Sequence, residues 1–360
     1  MTIAPSYDGS GLVNLVAEIE RRLSGGSRAP GLVAELASSV PDADTYVLVL
    51  FDGLGVAQIQ HPDGHAFRST LSGSLDAPFP TTTSVSLATI ATGLPPSQNG
   101  QVGHLNWMPD LDLVVNSLKW LRVTGQSVSY EYAGFLPRPN LWERLRATGV
   151  EPITVQPGDF AASPLSRVLY RGARFEGIWD EAELIKATLQ LAEQPKRLVF
   201  TYVPHVDFAG HVYGLESSEF TEALKTAATI WEALVTGLPP NVALIGTADH
   251  GLLEFNEDQK ILIREPRFDS LRFAGDTRGV QLWGEAELME DLARHVGGAL
   301  ADMVPLLGPA PTRETLSRAG EKVMLAPDDR VFIPKGFDKR LRSYHGGLSR
   351  PEVEIPLLIG

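Results

Sequence analysis

At 360 residues, with 43% hydrophobic and 21% charged side chains, the chain has the composition of a soluble globular protein with one large domain or two ordinary ones. Thirty-one lysines and arginines against 44 acidic residues leave a net charge of −13, which argues against a nucleic-acid polymer or an anionic membrane as partner. There is no cysteine, so disulfides, thiolate metal sites and a cysteine nucleophile are excluded, and any metal must use oxygen and imidazole ligands.

The opening MTIAPSYDGSGLVNLVAEIERRL has no basic segment leading into an apolar core and a cleavage site, and no stretch reaches the roughly 18 apolar residues of a membrane span. The expectation is a cytoplasmic protein. The first 40 residues predict two amphipathic helices: Leu12, Leu15, Val16, Ile19 and Leu23 recur at helical spacing, and SGGSRAPG interrupts the pattern before Leu32. TYVLVLFDG, from Thr45, is a continuous apolar run that closes on Asp52-Gly53, the pattern of a strand buried on both faces. Next, APFPTTTSVSLATIATGLPP (77–96) places three consecutive threonines before a helix-like run beginning near Ser84, and one of them is expected to cap that helix.

Residues 101–138, rich in aromatics and loop formers, predict a β-type insertion. Its Trp107, Trp120, Tyr130, Tyr132 and Phe135 either stack on a base or aryl leaving group or form the insertion's own small core. The apolar runs RLVFTYVPHVD and NVALIGTADHG repeat the strand-then-aspartate form, among the helical stretches LWERLRATG, EAELIKATLQLAEQ and EALKTAATIWEALVTGL. Residues 257–340 hold short strand-like pieces and a strong helix, and YHGGLSRPEVEIPLLIG supplies a final strand. Strands alternating with helices predict an α/β fold: a mainly parallel central sheet sandwiched between helices, with a small inserted α+β subdomain. The expected boundaries are a catalytic core over 1–256 that includes the 101–138 insertion, the inserted subdomain over 257–340, and a return to the core over 341–360.

Asp52, Asp249 and His250 stand at strand ends, Asp207 and His211 four residues apart, and His345 before Gly346-Gly347. Each alone reads as a turn former or a solvent-facing pair. Together, three carboxylates and three histidines fall where an α/β sheet gathers its ligands. Clustered carboxylates repel and resist burial, and divalent cations remove that conflict; six such ligands are enough for two ions. A hydroxyl at a helix N-terminus beside two such ions is placed to attack phosphorus, with the helix dipole favouring the anionic phosphate. His61, Asp63 and His65 in HPDGH read as a surface turn, and His295 as solvent-facing. His104 and His205, near the motif segments, are expected to line the site as substrate-binding groups.

The ordered set Asp-Gly, Pro-Thr-x-Thr before a helix and Thr-Gly, Asp-x-x-x-His, Asp-His-Gly and a late His-Gly resembles the alkaline phosphatase superfamily. Within it, the chain looks most like the type I phosphodiesterase/nucleotide pyrophosphatase branch, in outline from residue 45 to 360. The resemblance implies that Thr83 is the nucleophile, forming a phosphothreonine intermediate. It implies one ion on Asp207, His211 and His345 and another on Asp52, Asp249, His250 and the Thr83 oxygen, most naturally Zn²⁺, with Mn²⁺ as the alternative.

This sequence departs from the family's pattern after the nucleophile, where phenylalanine, proline and a phosphate-holding asparagine are common. Here Ser84, Val85 and Ser86 stand, so Ser86 is the expected donor to a phosphate oxygen. Asn99 replaces a frequent histidine, and the closing HGGLSRPEVEIPLLIG looks equally like PglZ-type members. The expected activity is hydrolysis of a small phosphate ester or nucleotide, a diester before a monoester or phosphonate. Lys119, Arg122 and Arg138 are candidate clamps for additional negative charge. A non-catalytic metal-binding scaffold is the competing class.

Overall fold

The computed structural model describes residues 3–360. Its first helix, Leu12–Ser24, buries the predicted apolar stripe against the core and stops at Gly25, whose left-handed φ of 83° lets its N–H reach the Arg21 carbonyl. The second predicted helix is a single turn, Ala34–Ala37, with no buried residue. Ser38 donates its hydroxyl back to the Glu35 carbonyl, and Pro41 follows, so the segment closes there.

A seven-stranded sheet forms the centre, in the order Leu71–Asp76, Glu354–Ile359, Val242–Ala248, Thr45–Phe51, Arg197–Val203, Glu151–Pro157, Arg174–Ile178. Thr45–Phe51 runs parallel to both its neighbours and every residue in it is buried, which is why it reads as an unbroken apolar run. Only Glu354–Ile359 runs against the rest. Helices Leu141–Ala147, Glu181–Ala192 and Ser218–Gly237 start at Asn140, Asp180 and Ser217, each of which caps with its side chain. No helix among the described residues is long and apolar enough to cross a membrane.

A second seven-stranded sheet lies beside the first. It is antiparallel throughout, in the order Ala299–Ala301, Lys322–Leu325, Gly279–Trp283, Arg272–Gly275, Leu105–Met108, Leu113–Asn116, Leu121–Arg122. It joins the two segments read separately in the sequence: Gly275 pairs with Leu105, so residues from 101–138 extend the sheet built within 257–340. The latter segment has its own apolar cluster, around Phe268, Leu282, Leu292 and Phe332. The sheets are tied by a fully buried ion pair, Arg278 to Glu352 at 2.9 Å, and Glu352 also accepts the Gly347 N–H at 2.8 Å. That pair holds the loop bearing His345 against the hairpin of the second sheet.

Candidate active site

The helix after the threonines runs Thr83–Thr92 and ends at Gly93 in the left-handed region. Every residue of it is buried except Thr83, its first. The threonines divide the work. Thr81, fully buried, accepts the Gly346 N–H at 3.1 Å and donates to the Gly347 carbonyl at 3.0 Å, while its own carbonyl receives Nδ1 of His345 at 2.8 Å. Thr82 occupies the N-cap position but its side chain makes no capping bond, contrary to the expectation of a threonine cap; it hydrogen-bonds Asp276 of the second sheet instead. Thr83 turns its hydroxyl to the strand ends, 3.2 Å from Nε2 of His250 and 3.5 Å from Oδ1 of Asp52.

Asp52, Asp249 and the segment carrying Asp207 follow three adjacent parallel strands of the central sheet, at their carboxyl ends. The Asp207 N–H donates to the Asp52 carbonyl at 3.0 Å. Gly53 allows this approach: its φ is +75°, and a Cβ there would stand 2.9 Å from Cα of Asp207. Asp249 accepts the N–H groups of Gly53 and His250 on Oδ1, at 2.9 and 3.0 Å. Asp52 receives the hydroxyl of Tyr202. Asp207 and His211 share a face of the helix His205–Tyr213, with 3.3 Å between Oδ1 and Nε2. The Asp207 oxygen is 3.9 Å from Nε2 of His345.

These donors suit divalent cations. Burial, then the charges of Asp249 and Asp207, drive the Asp52 carboxyl well above its ordinary range. Asp207 Oδ1 and Asp249 Oδ2 are buried with no hydrogen-bond partner among the described residues. Each histidine engages a carbonyl through Nδ1, His211 that of Ser343 at 2.7 Å, His345 that of Thr81 and His250 that of Gly251 at 3.2 Å. Rings so oriented turn Nε2 toward the carboxylates. Burial, with the rings of His250 and His211 nearby, holds His345 well below the usual histidine range and therefore neutral. Ligand atoms of Asp52, Asp249 and His250 lie within 4.8 Å of one another, as do those of Asp207, His250 and His345. His250 thus belongs to both groups, its ring stacked 3.7 Å from that of His345.

The site opens into a cavity of about 600 Å³, bordered by Thr83, Asp207, His211 and His345 on one side and by the second sheet on the other. His104 lines it as predicted; burial lowers its pKa to about 4, and its Nε2 meets the Asn116 amide at 2.9 Å. Two predicted substrate contacts do not reach the cavity. Ser86 is fully buried and donates to the Asp249 carbonyl at 2.8 Å, so it braces the strand end. His205 directs Nε2 at Glu181, 2.9 Å away, outside the cavity. His61 and Asp63 form the expected turn, and His295 pairs with Glu265 outside the site.

Four of the insertion's aromatics pack together, Trp120 against Tyr130, Tyr132 and Phe135 at 5.1–5.5 Å, while Trp107 packs on Trp283 at 6.2 Å, and the cavity is lined by Phe337 and Tyr344 instead. Of the three candidate cations, Arg138 is paired with Glu143, whereas Lys119 and Arg122 line the cavity without a carboxylate partner among the described residues. Sequence reasoning passed over two site residues, Tyr202 and Asp276. The first sits five residues before Asp207 on a strand already assigned to the core; the second lies in a Gly-Asp-Thr turn with no local mark of chemistry.

An α/β sandwich with such a donor set beside a helix N-terminus is that of the alkaline phosphatase superfamily. The chain belongs to the type I phosphodiesterase/nucleotide pyrophosphatase family, whose sequence profile matches residues 46–285. It is a phosphoester hydrolase of that kind. No curated protein matches the chain in sequence. Solved structures share its fold at low identity. An inactive form of murine ectonucleotide pyrophosphatase/phosphodiesterase 5 in complex with AMP is 17% identical, with a TM-score of 0.62 over 87% of each chain. The human counterpart is 16% identical with a TM-score of 0.60, again over 87% of each. Phosphonoacetate hydrolase from Sinorhizobium meliloti 1021, in complex with phosphonoacetate, is 15% identical with a TM-score of 0.64 over 89% of this chain and 91% of that one.

Proposed function

We propose that the chain hydrolyses phosphodiesters, nucleotides among them, through a phosphothreonine intermediate on Thr83. The observation that carries this reading is the exposure of Thr83 alone on its helix, its hydroxyl facing Asp52 and His250. Asp207, His211 and His345 would hold one divalent ion, and Asp52, Asp249, His250 and the Thr83 oxygen another, with Zn²⁺ the first choice for these oxygen and imidazole donors. Bound ions of this type lower the pKa of a coordinated hydroxyl and offset charge on phosphate oxygens.

The Thr83 hydroxyl gives its proton to solvent and its oxygen attacks phosphorus; the Thr83 O–P bond forms and the bond to the leaving-group oxygen breaks. That oxygen takes a proton from solvent. Attack by water then breaks the Thr83 O–P bond and releases the phosphomonoester. Backbone N–H groups at the start of the Thr83 helix orient the phosphoryl oxygens. Lys119 and Arg122, which line the cavity and have no carboxylate partner among the described residues, receive negative charge on the leaving group. Similarity to a phosphonoacetate hydrolase supports a second reading, a phosphonate substrate on the same residues. Acid-quenched turnover followed by mass spectrometry tests the first: the adduct should sit on Thr83, and its absence there, with turnover intact, removes the reading.

A further inference from the structure

Asp276 occupies the turn between strands Arg272–Gly275 and Gly279–Trp283 of the second sheet and is 6% exposed. Its carboxylate borders the same cavity as Thr82 and Thr83. Oδ2 accepts the His104 N–H at 3.1 Å, and the Thr82 side chain supplies a further hydrogen bond. On its other side it packs on Gly346, next to His345, where any Cβ would collide with that of Asp276. All these partners are neutral, and no cation pairs with Asp276 among the described residues. The charged group that acts on it is another acid, Glu352. Burial, the larger effect, raises its pKa to about 7, so above neutrality it carries a charge with no partner beside the nucleophile's turn.

An anion in that wall discriminates by charge. A phosphodiester brings one negative charge to the reacting phosphorus, and a phosphomonoester brings two above about pH 7, since its second pKa is about 6. We propose that Asp276 is a specificity-determining residue, whose carboxylate on the wall of the cavity that Thr83 also lines repels the second charge of a monoester and thereby selects diesters. The inference rests on the phosphodiesterase reading and adds a cause for the preference. It also assigns the second sheet a part in recognition: pairing of Gly275 with Leu105 brings the turn to the nucleophile.

The test compares methyl 4-nitrophenyl phosphate with 4-nitrophenyl phosphate at pH 8.5, two esters with one leaving group that differ by one charge. Asp276→Asn keeps an oxygen to accept the His104 N–H and loses the charge. The monoester-to-diester ratio of kcat/KM should rise at least about tenfold, as expected for loss of one close like-charge repulsion, with the diester value rising less than the monoester value because it carries one charge where the monoester carries two. If the variant fails to fold, Asp276→Ser, which also keeps an acceptor, serves in the same assay. A wild-type preference for the diester with an unchanged ratio in the folded variant overturns the assignment of Asp276 alone. Wild-type enzyme that cleaves neither ester, or prefers the monoester, overturns the diesterase reading beneath it.

Discussion

The hydroxyl of Thr83 stands 3.2 Å from Nε2 of His250, on the one side chain of its helix that escapes burial. Removing it strips the site without opening a hole in the core. Thr83→Ala should fold and lose at least about a thousandfold in kcat, while Thr83→Ser keeps measurable turnover through a primary hydroxyl. Thr82→Ala should cost about tenfold or less, the range of a lost neutral hydrogen bond. Normal turnover by Thr83→Ala would remove Thr83 from the mechanism.

Chelation should abolish activity and lower the melting temperature. Three carboxylates crowd the strand ends, two of them with an oxygen that has no hydrogen-bond partner among the described residues. Ions bound only by the folded state stabilise it by mass action, and their loss restores the repulsion. Elemental analysis should find close to two divalent ions per chain. Full activity in a demonstrably metal-free sample would contradict the arrangement.

Tyr202→Phe tests how Asp52 is held. The phenol donates to one Asp52 oxygen and leaves the other facing Thr83 and His250. Without that donor the carboxylate is free to rotate, and metal retention should weaken about 10–100-fold, as for other losses of support behind a ligand. Competition with a chelator of known affinity measures this directly, and unchanged retention would show that packing alone orients Asp52.

Asp276 also makes a prediction about pH. Its pKa rises from 3.8 in the unfolded chain to about 7 in the folded protein, chiefly through burial. Between those values the folded state keeps a proton that the unfolded state has released, so folding is progressively disfavoured as pH rises. Wild type should therefore lose stability relative to Asp276→Asn from about pH 4 to about pH 7, by roughly 4 kcal/mol in total, with no further change above. Denaturation of metal-free protein across that range is the measurement; parallel curves for the two proteins would rule the shift out.

Trp120 should behave as a core residue. It is 3% exposed and packs on Tyr130, Tyr132 and Phe135. Trp120→Ala should cost about 3–5 kcal/mol of stability and change KM alike for nucleotide and simple aryl diesters. A selective rise in KM for nucleotides would instead assign this cluster to base recognition.

The sequence discloses the central sheet and the cluster of candidate metal ligands because both leave local marks. Buried parallel strands are unbroken apolar runs, and an aspartate at the end of such a run can only lie at the sheet's carboxyl edge. Ser86 and His205 show where local reasoning stops. Each is near a site residue in sequence, but the turn of its helix sends Ser86 to the Asp249 carbonyl and His205 to Glu181. Asp276 depends on a pairing between residues 105 and 275, and no composition or spacing near either position announces that contact. The same long-range pairing unites two segments that look separate when read along the chain.

Glu354–Ile359 lies in the interior of the central sheet, between Leu71–Asp76 and Val242–Ala248. A growing polypeptide would have every other strand of that sheet in hand and still lack the one that bridges the gap. His345 and its partner Thr81 would likewise meet only once the segment beyond residue 340 has emerged. Synthesis therefore delays the assembled site until residues beyond 345 have emerged, and a ribosome-bound fragment ending before residue 340 carries the Thr83 helix without His345 beside it.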